Sequence, residues 1–409
     1  MNSQTESTLA TNQNLEKPTT PQSYWSGVFA MTLCVFTLIA SEFMPVSLLT
    51  PIAGSLNISE GMAGQGIAIS GAFAVFTSLF ISTLAGNLNR KTLMLLLTVL
   101  MGVSGATIGM ASSYVSYMLG RALIGMVIGG FWSMSAAIAM RLVPQEKVSK
   151  ALAIFNGGNA IAMVVAAPLG AYLGATIGWR GAFLALIPVS IITLIWQWFS
   201  LPSMEVESHS GATPPSAKQT SAFQVLALLR QPIVCTGMLA VGIFFMGQFT
   251  LYTYVRPFLE TATLMNETLL SFTLMLIGIA GFIGTSFINI PLKKSLSKTL
   301  IRLPILMAII AVSLTLWGHK VGVVIGLLSL WGMIATAAPV GWWTWVAKTF
   351  PTNAESGGGL MVAVIQLSIA LGSTLGGILF DHYGFESSFM VSAVLLVVAA
   401  LLAKKVSKI

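Results

Sequence analysis

Charge is what these 409 residues have least of: 8% are Asp, Glu, Lys or Arg, against the roughly 25% of an average soluble domain. With 12 acidic residues and 3 histidines, a centre built from several titratable side chains has little to draw on. There is no H-E-x-x-H for a metal hydrolase and no G-x-x-x-x-G-K-[ST] loop for a nucleotide-driven pump. The two cysteines, Cys34 and Cys235, sit in apolar runs without paired or metal-type spacing. A disulfide framework is therefore excluded, and packing is their expected role. Long hydrophilic stretches are missing too, apart from residues 1–23 and 202–222. What is present is apolar, 56% of the chain, enough for about a dozen crossings at roughly 20 residues each. An ordinary cytosolic enzyme is excluded.

Apolar segments fall at 25–49, 62–86, 92–111, 115–142, 150–177, 181–201, 233–256, 269–291, 300–317, 321–347, 357–380 and 386–403. The expected architecture is an all-α membrane protein of twelve spans. Residues 1–23 lack the charged start and apolar core of a secretory signal and are expected to form a disordered cytoplasmic tail. If that tail is inside, the inner segments carry Lys17, Arg90, Lys91, Arg141, Lys147, Lys150, Lys218, Arg230, Lys293, Lys294, Lys298, Arg302, Lys348, Lys404, Lys405 and Lys408. The outer segments carry Arg180, Arg256 and Lys320. This asymmetry places both termini in the cytoplasm and accounts for the net charge of +8 without nucleic acid. The interruption at 202–230, rich in Pro, Ser and Gly, is expected to link an N-terminal six-helix bundle (24–201) to a C-terminal one (231–409).

The halves carry an internal repeat. An offset of 206 aligns Glu42-Phe43 with Gln248-Phe249, Pro51 with Pro257, Leu169-Gly170 with Leu375-Gly376, Gly178 with Gly384, Trp179 with Phe385 and Phe183 with Phe389. An offset of 207 aligns Arg141 and Pro144 with Lys348 and Pro351. Agreement in three separate places argues for duplication. An even number of spans between the copies gives them one orientation, with the site expected between them.

Eight stretches carry a family resemblance: EFMPVSLLTPIA (42–53), ISEGMAGQ (58–65), GRALIGMVIGGFWSMSAAIAMRLVP (120–144), AAPLG (166–170), GWRGAF (178–183), TYVRP (253–257), APVGWWTW (338–345) and VAVIQLS (362–368). The chain resembles the drug:proton antiporter group of the major facilitator superfamily. Within it, it is most similar to bacterial purine ribonucleoside efflux pumps and their sugar-efflux relatives. The resemblance implies a monomeric carrier in the bacterial inner membrane, with spans one, four, seven and ten around a central cavity. It implies proton-driven efflux of a small neutral solute such as inosine, adenosine or guanosine, with no cofactor, no metal and no enzymatic activity. A sugar or multidrug efflux carrier is the alternative. Two family motifs depart here: Asn89 stands where the loop after span two carries an Asp, and span five has Ala167-Pro168-Leu169-Gly170-Ala171 in place of a Gly-Pro core.

Two ionisable residues lie well inside spans, Glu42 in the first and Arg121 in the fourth. Each carries an insertion cost of about 2.5–3.5 kcal/mol and calls for a partner or a function. At about 1.5 Å per residue, both lie roughly 10 Å below the outer ends of their spans, and the resemblance, which sets spans one and four around the cavity, implies that they could face one another. One reading is a static salt bridge. The other is proton coupling: the histidines (His209, His319, His382), Asp381 and the remaining glutamates fall in loops, leaving Glu42 as the membrane carboxylate. Its proton affinity would then be set between burial and the distance to Arg121. The repeat places Gln248, which cannot titrate, at the equivalent position. For substrate, Trp132 follows Arg121 by three turns and shares its face to within about 20°. Tyr252 stands one turn after Gln248. Trp342 and Trp345 share a face from which Trp343 turns away by about 100°. These rings could stack on a purine while Asn156, Asn159, Gln248 and Gln366 hydrogen-bond base and ribose. Packing, interface belts and interhelical hydrogen bonds are the alternative roles of the same residue types. Pro45, Pro51, Pro168, Pro257 and Pro339 are expected to act as hinges.

Overall fold

The computed structural model describes residues 23–86, 88–144, 147–204, 228–350 and 354–407, and every regular element among them is helical. Of the expected tail and linker, residues 1–22 and 205–227 lie outside the described residues. The first half contains α1 (Trp25–Leu56), α2 (Glu60–Ala85), α3 (Arg90–Gly109), α4 (Tyr114–Leu142), α5 (Val148–Leu184) and α6 (Leu186–Ser200). A 3₁₀ turn at Leu228–Arg230 leads into α7 (Pro232–Tyr252), α8 (Val255–Thr261), α9 (Glu267–Phe287) and α10 (Asn289–Lys294). They are followed by α11 (Leu296–Trp317), α12 (Val321–Thr349) and α13 (Ala354–Val406).

Local chemistry sets the helix ends. Ser59, Asn89, Asn266 and Ser295 each accept an amide of the first turn of α2, α3, α9 and α11, and Ser113 with Ser116 closes a capping box on α4. α1 stops at Asn57, whose left-handed backbone (φ 52°) turns its N–H onto the last carbonyls. Prolines explain three internal breaks. Pro188, Pro257 and Pro291 lack the N–H that Leu184, Thr253 and Phe287 would have accepted, and the helices interrupt at those points. Pro45, Pro51, Pro168 and Pro339, expected as hinges, lie inside helices that continue through them.

Ten stretches are long and apolar enough to cross a membrane, and two of them, of 51 and 50 residues, are doubled. A straight helix of that length would run about 75 Å, against a hydrocarbon core of about 30 Å. Each is folded back at a glycine, Gly178 (φ 76°, ψ 160°) and Gly384 (φ 79°, ψ 177°). The neighbours record the reversal. Gly372 and then Gly376 pack on the main chain of Met246 and Thr250. Beyond Gly384, Ser388 donates to the Thr250 carbonyl and Ser392 to that of Gly247, in the opposite order. In the first half, Gly158, Gly170 and Gly174 climb α1 past Thr32, Met44 and Leu48. Beyond Gly178 the chain descends until Gln197 reaches Met31 and Ser200 meets Ser26. Among the described residues, ten apolar stretches, two of them folded back on themselves, are thus compatible with the twelve spans expected.

The repeat holds in packing as well as in sequence. Gly125 of α4 lies on the main chain of Ser70 in α2, and Gly332 of α12 lies on Ile277 in α9, each residue shifted by 207. Gly129 against Ala74 corresponds to Thr336 against Gly281, with the small residue moved to the other helix. Such residues let helices approach where no hydrophobic force drives them together. Large apolar side chains, among them Phe76, Phe199, Phe282, Ile309 and Leu401, cover the outside of the bundle.

Candidate functional site

The end of the bundle where α1 begins is the terminal end, and the end where α1 finishes is the distal end. Glu42 lies in α1 and is 3% exposed, and Arg121 in α4 is fully buried. They share a depth as expected, but their charged groups do not pair. Arg121 donates through Nε to the Gly66 carbonyl at 2.9 Å and through Nη1 to the Ser41 carbonyl at 2.9 Å. Its Nη2 donates to the main-chain carbonyl of Glu42 at 3.2 Å and to Ser70 Oγ at 3.0 Å. The Ser41 carbonyl is open because Pro45, four residues on, has no N–H to give it. The guanidinium is therefore held by carbonyl dipoles and a hydroxyl, all within the first half.

The Glu42 carboxylate faces the other half. Its Oε1 accepts Nε2 of Gln366, from α13, at 3.3 Å. Gln366 and Gln248 are 7% and 6% exposed, and the carbonyl oxygen of each side-chain amide is buried without a hydrogen-bond partner. Phe43 and Phe249, the residues after Glu42 and Gln248, meet across the seam with centroids 5.9 Å apart. The repeat-related positions of α1 and α7 therefore lie opposite one another.

The remaining sequence candidates are distributed unevenly. Trp132 is half-buried and edge-on to Phe131, and Tyr252 is half-buried and edge-on to Phe249. Asn159 is half-buried, and the side chain of Asn156 lies outside the described residues. Trp342 and Trp345 share a buried face while Trp343 is exposed, as their spacing requires. Trp342 packs on Phe244 at 6.3 Å and Trp345 lies against Gly237, so both rings are covered by α7 of their own half.

A second set of contacts joins the halves at the distal end, where sequence spacing gave little sign of one. Asp381, expected in a loop, is helical in α13 and caps α2 from across the seam. Its carboxylate accepts Ser59 Oγ and, at 2.9 Å, the Gly61 amide. A Cβ on Gly61 would collide with Asp381 and with the Gly377 carbonyl. Thr374 donates to Gln65 Oε1 at 3.0 Å. The Tyr254 hydroxyl, wedged between Gly64 and Gly377, donates to the Ser373 carbonyl at 2.7 Å. Arg256, 4% exposed, pairs with Glu260 at 2.7 Å and donates to the Ser47 carbonyl of α1. That carbonyl is open because Pro51 cannot reach back to it. The available signal was that ISEGMAGQ and TYVRP belong to the resembling stretches. Asn89, in place of the loop aspartate, stays within its own half, accepting from Lys91 and Met204 amides and donating to Ser203.

The sequence profile described as Major Facilitator Superfamily matches residues 31–359. A protein of Pseudomonas aeruginosa named Transcription regulatory protein OpdE is 61% identical over 378 residues, 92% of each chain. The Purine ribonucleoside efflux pump NepI of Escherichia coli (strain K12) is 40% identical over 394 residues, 96% of each chain. Among solved structures, an inward-facing, unoccupied bacterial homolog of the human lysosomal transporter Spinster superposes with a TM-score of 0.74. It is 15% identical, covering 94% of this chain and 97% of that one, a likeness of fold.

Proposed function

The chain belongs to the Major Facilitator Superfamily, and within it we propose a secondary active carrier that exports purine ribonucleosides such as inosine, adenosine and guanosine in exchange for protons. It acts as a monomer in the bacterial inner membrane with both termini in the cytoplasm, the orientation favoured by the positive-inside count. The observation that carries the reading is Glu42: a buried carboxylate at the seam, held by an amide of the other half rather than by the arginine beside it. A group so placed feels both proton occupancy and the relative position of the halves, which is what coupling by alternating access requires.

The relative named as a purine ribonucleoside efflux pump supports the substrate class. The unpartnered amide oxygens of Gln248 and Gln366 can accept N–H or O–H donors from base and ribose. Trp132 and Tyr252 offer half-buried faces for stacking, and Asn156 and Asn159 lie on α5 within the first half. Trp342 and Trp345, backed onto α7, would contact substrate only if that helix moves. The regulatory name carried by the 61% identical relative belongs to that protein.

The test is accumulation of labelled inosine by proteoliposomes acidic inside, so that protons leave as inosine enters. Wild type should accumulate inosine above its no-gradient control, with competition from adenosine and guanosine but not arabinose. Glu42→Gln should lose gradient-driven accumulation while keeping inosine counterflow. Competition by arabinose alone would move the substrate to the sugars, and a Glu42→Gln that still concentrates inosine would remove Glu42 from coupling.

A further inference from the structure

Glu42 has a hydrogen-bond partner that can report its protonation, and that partner belongs to the opposite half. A carboxylate only accepts, whereas a carboxylic acid also donates. Gln366 Nε2 now donates to Glu42 Oε1 at 3.3 Å, and the oxygen of the same amide is buried without a partner. Arg121 does not stand in for it, because its hydrogen bonds go to main-chain carbonyls and Ser70. Among the charged groups on the elements packed around Glu42, Arg121 faces it from α4. Glu60, Lys150, Arg256 and Glu260 stand toward helix ends, and Asp381 stands beside the reversal at Gly384 in α13.

We propose that Gln366 is a proton-reading switch: with Glu42 ionised its amide donates to the carboxylate and offers its oxygen to substrate, and with Glu42 protonated it turns over and offers its NH₂ instead. The proton adds to a carboxylate oxygen, the new O–H donates to Gln366 Oε1, and no other covalent bond changes. Rotation about the last torsion of a glutamine is nearly two-fold, so both amide poses are accessible. A substrate N–H that fits the first pose is opposed by the second, which makes proton and substrate compete although they touch different atoms. Gln366 is thereby a positioning residue for coupling as well as a substrate contact.

The inosine arm of the test rests on the nucleoside reading, and the infrared arm does not. Inosine affinity of purified wild type should vary with pH. Gln366→Leu should weaken inosine binding by about three- to tenfold, the loss of one hydrogen bond, and flatten the pH profile. A merely structural role would lower affinity equally at every pH and leave the profile's shape intact, which would overturn the proposal. Without substrate, infrared difference spectra on acidification should show a carboxyl band that Glu42→Gln removes. A glutamine side-chain amide band should shift with it and vanish in Gln366→Leu. A carboxyl band rising while the amide band stays still would overturn the proposal even if Gln366→Leu failed to fold. Wild type that binds no inosine at any pH would sink the nucleoside reading and leave the infrared result to decide the switch.

Discussion

At the residue scale, the organising event is a proline exposing a carbonyl to an arginine. Pro45 opens the Ser41 carbonyl and Arg121 takes it; Pro51 opens the Ser47 carbonyl and Arg256 takes it from the other half. A buried guanidinium with a fixed fork of donors can satisfy several carbonyls at once, which an ammonium cannot. Arg121→Lys should therefore lower the melting temperature of the purified protein, at about 1.5–3 kcal/mol for each charged hydrogen bond lost, and an unchanged melt would show that those bonds contribute nothing net. The shared depth of Glu42 and Arg121 was legible from residue counts. That Arg121 would bind main chain, freeing the carboxylate for Gln366, was not, because nothing in spacing along one helix states which atom of the next it reaches.

At the element scale, continuity and reversal of helices turn on a few backbone positions. Gly178 and Gly384 hold a conformation with positive φ and extended ψ that is reserved almost wholly to glycine. Gly384→Ala should cost about 1–3 kcal/mol, read as a lower midpoint in thermal unfolding, whereas Gly359→Ala, with open space around its Cβ, should lose less. Pro51→Ala offers a different test. Its new N–H would reclaim the Ser47 carbonyl within α1 and displace Arg256. Loosened distal closure should follow, measured as faster labelling of a cysteine replacing the half-buried Thr374, which meets Gln65 across the seam, by a membrane-impermeant thiol reagent. Labelling no faster than in the Pro51 background would show that the Arg256 contact does not hold that end.

At the scale of the whole molecule, the hydrogen bonds between the halves among the described residues lie at the level of Glu42 and Gln366 or distal to it. Among the described residues the distal end is thus latched, and the latch is a carboxylate from one half capping a helix of the other, an arrangement favoured by the helix dipole. Cysteines at Ser59 and Asp381 should form a disulfide under oxidation that holds inosine transport at background and releases it on reduction. Undiminished transport in the fully cross-linked protein would show that this end need not open. The equivalent loop after α2 offers no charged counterpart, since Asn89 caps its own helix.

The sequence alone determined the membrane class, the duplication and the depth of the two buried charges. Each is written in apolar run length or in spacing along one segment, which the bilayer and the helix repeat convert directly into geometry. Only the tertiary structure decided which partners those charges take, that Trp342 and Trp345 back onto α7, and that Asp381 crosses the seam. These depend on how two halves are rotated and brought together, and that relation is a property of packing between segments far apart in the chain, to which no local period corresponds.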